Sequence, residues 1–131
     1  LTLNAKQVDV SVGEGSCSNF FLQEGCTNAK SYINLFFQQF WKPIYDEFLE
    51  VEGIEDEDAY YEAVDAFYQK YEARFVTDYA ATNPGEDIAE AWTKFVLKEK
   101  PAGSSIADDK VDFFYQFNEL VNLRKVIRAR I

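Results

Sequence analysis

The chain has 131 residues, 47% of them hydrophobic and 17% aromatic, which is enough apolar material for a packed core and excludes a disordered polyelectrolyte. Twenty-three acidic residues against 13 basic ones leave a formal charge of -10, which repels phosphate backbones and anionic headgroups and argues against nucleic-acid binding. No window approaches the roughly 20 consecutive apolar residues that a bilayer-spanning helix requires, so no membrane span is expected.

Residues 1–28 are rich in Gly, Ser and Asn, with alternation only at Val8-Asp9-Val10-Ser11-Val12, and read as an extended, irregular lead-in that wraps over helices. Cys17 and Cys26, the only two cysteines, bracket a short polar stretch that a disulfide could close. An oxidising, extracytoplasmic compartment is the natural reading; two reduced thiols in a cytosolic protein are the alternative. Two cysteines in a chain with no histidine make a poor zinc site.

Residues 29–131 read as one helical part of a single domain, with about four helices. The first spans Ser31 to Leu49, where Ile33, Phe36, Phe37, Phe40, Ile44, Tyr45 and Phe48 fall at helical spacing. Pro43 lies inside that pattern and predicts a kink or a restart after Trp41. Glu50 to Asp58, with Gly53 inside, reads as a solvated connection. Clustered carboxylates there also raise calcium binding, but the stretch lacks the alternate-ligand layout of an EF-hand loop.

Ala59 to Phe75 carries a second stripe, Tyr60, Val64, Phe67, Tyr68 and Tyr71, expected to pack against the first helix. Asn83-Pro84, with Glu86 three residues after the Asn, is a start signal for a third helix running to about Lys98. Pro101 and Gly103 stop it. A last helix is expected from Ala107 or Asp108, with Phe113, Phe117, Leu120, Ile127 and Ile131 on one stripe. Its late cluster of Arg124, Lys125, Arg128 and Arg130 suits the dipole of its own C-terminus.

On the third helix, a rotation of 100° per residue sends Ile88, Ala91, Trp92 and Phe95 to one side and Glu86, Glu90 and Thr93 to the other. Two carboxylates four residues apart repel each other mildly and gain nothing structurally. In the plainer reading Glu86 belongs to a capping box with Asn83, Glu90 is a solvated surface charge and Tyr79 is an ordinary half-buried tyrosine.

The segment Tyr79-Ala80-Ala81-Thr82-Asn83-Pro84-Gly85-Glu86-Asp87-Ile88-Ala89-Glu90-Ala91-Trp92 resembles the glutamate helix of lethal-factor-like, gluzincin-type zinc metallopeptidases, in the pattern Tyr-x6-Glu-x3-Glu-x-aromatic. The resemblance implies a zincin-like domain of which this chain is the C-terminal helical part. It makes Glu86 the third protein ligand to zinc, Tyr79 the hydroxyl that assists at the scissile carbonyl, and Glu90 a carboxylate of the metal's outer shell. The opening Leu1-Thr2-Leu3-Asn4 resembles the stretch after the His-Glu-x-x-His helix in some secreted bacterial relatives, so the chain is expected to derive from a longer precursor.

The departure is the absence of histidine. Neither imidazole ligand nor the adjacent general-base glutamate is present, so zinc is expected only together with the missing helix and the chain alone should be inactive. In the parent enzyme the partner would be a peptide or protein substrate. The competing expectation is a non-catalytic secreted helical module that binds another protein through aromatic surface at Phe20, Phe21, Tyr60 and Tyr61.

Overall fold

The computed structural model describes residues 7–131 and is mainly helical, with a small sheet near the start. The Leu1-Thr2-Leu3-Asn4 segment lies outside the described residues. The chain divides into two compact units, one ending at Tyr45 and the other spanning Asp46–Ile131. The first unit thus contains the lead-in and the first helical turns.

In the first unit the lead-in is more ordered than its composition suggests. Strands β1 (Val8–Asp9), β2 (Phe21–Leu22) and β3 (Gly25–Thr27) form an antiparallel sheet in the order β1-β3-β2, with Val8 opposite Thr27 and Phe21 opposite Cys26. Cys17 and Cys26 are disulfide-bonded, with Cα atoms 5.6 Å apart, which ties the β2–β3 hairpin to the turn before it. Gly25 is obligatory: its φ is +147°, and a Cβ there would lie 2.6 Å from the Asp9 carbonyl oxygen on the neighbouring strand.

Helix α1 (Tyr32–Phe36) begins at Ser31, whose hydroxyl accepts a hydrogen bond from the Asn34 amide. Asn34 is itself buried and joins the two parts of the unit, its Oδ1 accepting from the Phe20 amide at 3.0 Å and its Nδ2 donating to the Ala29 carbonyl at 3.0 Å. The helix then widens into a π-helical turn at Phe37–Trp41 and tightens into a 3-10 turn at Lys42–Ile44, before α2 (Tyr45–Glu52) continues it. Pro43 is the cause: it supplies no N–H, and its ring would collide with the carbonyl one turn back in a regular helix. Phe20 stacks on Phe37 at 4.3 Å, and Tyr45 meets Phe37 edge-on at 4.8 Å.

In the second unit, α2 ends near Gly53, whose amide donates to the Leu49 carbonyl at 3.0 Å. The stretch read as a charged connection is therefore helical at both ends, because Asp56 caps α3 (Glu57–Tyr71) by accepting from the Ala59 amide at 2.9 Å. Helices α2 and α3 meet through Phe48 and Phe67, centroids 6.0 Å apart, and through Glu47, which accepts from Lys70 at 2.9 Å and from the Tyr71 hydroxyl. Of the apolar stripe expected on α3, only Phe67 is buried; Tyr60, Tyr68 and Tyr71 are half-buried and Val64 is exposed.

Helix α4 (Pro84–Leu97) buries Ile88, Ala91 and Phe95, as its periodicity demands, together with Asp87 and Val96. The last expected helix is two: α5 (Ile106–Asp112) and α6 (Asn118–Arg128), separated by a 3-10 turn at Phe113–Gln116 that swings Phe113 and Phe114 into the core. Trp92, Phe95 and Phe114 form one aromatic cluster with centroids 5.2–5.4 Å apart.

The arginines of α6 do something other than complement their own helix. Arg124 donates to the carbonyls of Phe95 (2.7 Å) and Lys98 (2.9 Å), and Arg128 to that of Val96 (2.9 Å), so they satisfy the orphan carbonyls at the end of α4. Among the described residues no helix is long and apolar enough to cross a membrane.

Candidate functional site

The residues singled out by resemblance lie together at the start of α4. A 3-10 turn, Tyr79–Thr82, leads into Asn83, whose side chain accepts from the Glu86 amide at 2.8 Å and fixes the first turn. Proline at the first helical position needs no amide partner there. Glu86 and Glu90 then project from one face, one turn apart, both half-buried.

Tyr79 meets Glu86. The tyrosine is 54% exposed, and its phenol faces the Glu86 carboxylate. The Glu86 charge first, then hydrogen bonding toward it, burial, and last the Glu90 charge hold the phenol above its ordinary pKa, so it stays protonated over a wider alkaline range. Glu90 is tethered separately: Thr77 donates to its Oε1 at 2.9 Å, while the same Thr77 oxygen accepts from the Ala80 amide at 3.1 Å. One hydroxyl thus ties the turn that carries Tyr79 to the second glutamate. Beside Thr77 and Glu90 lies an open depression of about 250 Å³, bordered also by Val76, Thr93, Lys94 and Leu97.

Behind this face sits a group that the sequence pattern does not reveal. Asp87 and Lys110 are fully buried, and the ammonium lies 2.7 Å from Asp87 Oδ2 and 4.1 Å from the centroid of Phe75. Burial pushes the lysine below its ordinary pKa, opposed by the Asp87 charge and hydrogen bond. The pair joins the first turn of α4 to α5 next door to Glu86. The signal was an acid beside Glu86 on the core-facing side of the helix, readable only with its partner 23 positions away.

The described residues do not by themselves form a zinc centre. Among the described residues no group of three His, Cys, Asp or Glu side chains is placed to hold a metal ion, and a tetrahedral hydrolytic centre needs three protein donors. The local chemistry is one carboxylate with a phenol beside it and a second carboxylate one turn on.

The aromatic surface is split. Phe20 is only 7% exposed and stacked in the first unit, Phe21 is half-buried, and of the four residues only Tyr61, 61% exposed, stands well out in solvent. Comparison of the chain with protein-family models, with curated proteins and with solved structures yields no match.

Proposed function

We propose that this chain is the C-terminal helical part of an extracytoplasmic zinc-dependent metallopeptidase, in which Glu86 supplies one metal ligand and Tyr79 a hydrogen-bond donor. The histidine ligands and the general base come from a polypeptide segment outside these 131 residues, and the chain alone is inactive. The observation that carries the reading is that Glu86 and Glu90, one turn apart on α4, both lie near enough to the Tyr79 phenol for their charges to raise its pKa. Two like charges one turn apart destabilise a helix slightly, yet Glu90 is held by a hydrogen bond from Thr77 and Glu86 lies beside the Tyr79 phenol.

Zinc, when held by imidazoles together with Glu86, supplies Lewis acidity toward a peptide carbonyl. The residues of this chain have simpler tasks. Glu86 offers an ionised oxygen from a capped helix turn, Glu90 keeps the surroundings anionic, and Tyr79 stays protonated and donates to an oxygen that gains charge. The disulfide accords with an oxidising compartment. The reading as a protein-binding module is the less favoured, because Phe20, half of one proposed aromatic pair, belongs to a core.

The test is zinc content and peptidase activity of the full gene product. Glu86→Gln should release the metal and abolish turnover, whereas Tyr79→Phe should keep the metal and lower kcat by about 100-fold, the usual loss for one oxyanion donor. A gene product without a His-Glu-x-x-His helix, or a Glu86→Gln protein with undiminished zinc and activity, refutes the proposal.

A further inference from the structure

A groove in the second unit opens between α2, α3 and the turn that carries Tyr79. Its floor is apolar, made by Phe48, Val51, Val64, Phe67 and Ala81, and its cavity volume is about 120 Å³. That is comparable with the roughly 150 Å³ apolar cavity that accommodates a benzene ring. Tyr60 and Tyr68 stand along its walls. These are the α3 residues whose periodicity marks them for burial, and along the groove that face stays partly uncovered.

The rim is acidic. Glu52 and Asp78 border the cavity, and Glu52 accepts from the Tyr60 hydroxyl at 3.1 Å. Burial first, and then the Glu72 and Asp78 charges, raise the pKa of Tyr68. A second, shallower depression shares Val64, Tyr68 and Asp78 with the groove and adds Asp65 and Tyr79. The apolar groove is therefore continuous, through Asp78, with the edge where Tyr79 meets Glu86. Among the described residues, no lysine or arginine lines either depression.

We propose that this groove is a substrate subsite that takes up a large apolar side chain flanked by lysine or arginine, so that the substrate is a cationic peptide segment. The assignment rests on the metallopeptidase reading for the word substrate. The recognition chemistry rests on the groove alone: an apolar slot orders one side chain, and carboxylates on its rim select the sign of the neighbours. Large apolar side chains with acidic neighbours are rejected by like-charge contact.

The test needs neither metal nor turnover. The isotope-labelled 131-residue chain is titrated at low salt with three acetylated and amidated peptides, Gly-Lys-Leu-Lys-Gly, Gly-Glu-Leu-Glu-Gly and Gly-Lys-Ala-Lys-Gly, and amide and methyl shifts are followed by NMR. The first peptide should bind about tenfold more tightly than either of the others, a ratio equal to one factor of ten in Kd for the charge and one for the apolar side chain. Its shifts should centre on Val64, Tyr68 and Ala81, and binding should weaken when salt shortens the Debye length. Ala81→Leu, which fills the slot, should remove the preference for leucine over alanine while leaving a weak cationic preference. Equal affinity for the three peptides, or shifts centred elsewhere, overturns the proposal. Failure of the catalytic reading shows instead in the zinc content of the gene product, which this titration does not touch.

Discussion

Replacing Lys110 with methionine removes a cation that lies 2.7 Å from a fully buried carboxylate. Asp87 and Lys110 are both 0% exposed and 2.7 Å apart, so water cannot compensate either charge. Removing one partner from such a pair costs about 3–5 kcal/mol, whereas replacing both by apolar residues of similar volume is close to neutral. With a urea m-value of about 1.5 kcal/mol/M, Lys110→Met should lower the unfolding midpoint by about 2–3 M, and Lys110→Met with Asp87→Leu should recover most of it. Circular dichroism and tryptophan fluorescence report the transition, since Trp92 lies in the aromatic cluster on α4. A single variant within about 1 kcal/mol of the parent protein, or a double variant as unstable as the two single losses added together, would refute the ion-pair account.

Glu86→Gln should bring the Tyr79 phenol back down toward its ordinary value of 10.0, and Glu90→Gln should do so by less, because Glu86 is the largest cause of the rise and Glu90 the smallest; NMR-detected titration of the tyrosine ring checks the order. Glu47 is held below its ordinary 4.5, first by the Tyr71 hydroxyl and then by Lys70. Its contribution is fully present above the unfolded-state value and lost as the pH falls through the lowered folded one, so Glu47→Gln should flatten the acid limb of a stability profile below about pH 4.5. Joint replacement of Cys17 and Cys26 by serine releases a loop closed over a sequence separation of nine, worth about 2.5–3 kcal/mol on chain-entropy grounds, and should appear as loss of amide protection in β2 and β3. Asn83→Ala removes the cap at 2.8 Å from the Glu86 amide and should cost about 1 kcal/mol.

Where local chemistry decides the outcome, the sequence was legible. Asn83-Pro84 marks the start of α4, Pro43 marks the break between α1 and α2, and the side of α4 carrying Ile88, Ala91 and Phe95 is the buried one. Proximity of Tyr79, Glu86 and Glu90 comes from a turn feeding directly into a helix, so short-range spacing suffices for it. The misses are non-local. The strands have two or three residues, too few for alternation to register, and the sheet depends on Gly25 and a disulfide as much as on pattern. The final helix breaks at Phe113–Gln116, a 3-10 turn that buries Phe113 and Phe114, and no proline or glycine in the sequence marks the break. The Lys110–Asp87 pair and the arginine contacts to α4 join residues 23 to 32 positions apart, a separation over which periodicity carries no information.

Those arginine contacts bear on how the glutamates are presented. At its start α4 is gripped by Asn83 and by the Asp87–Lys110 pair, and at its end by Arg124 and Arg128. A rod fastened at both ends has little freedom to rotate about its axis, so the side of the molecule toward which Glu86 and Glu90 project is decided when the chain folds. Loosening the far end, a full helix length away, should therefore be felt at the carboxylates, as a changed Tyr79 titration, before it is felt as unfolding.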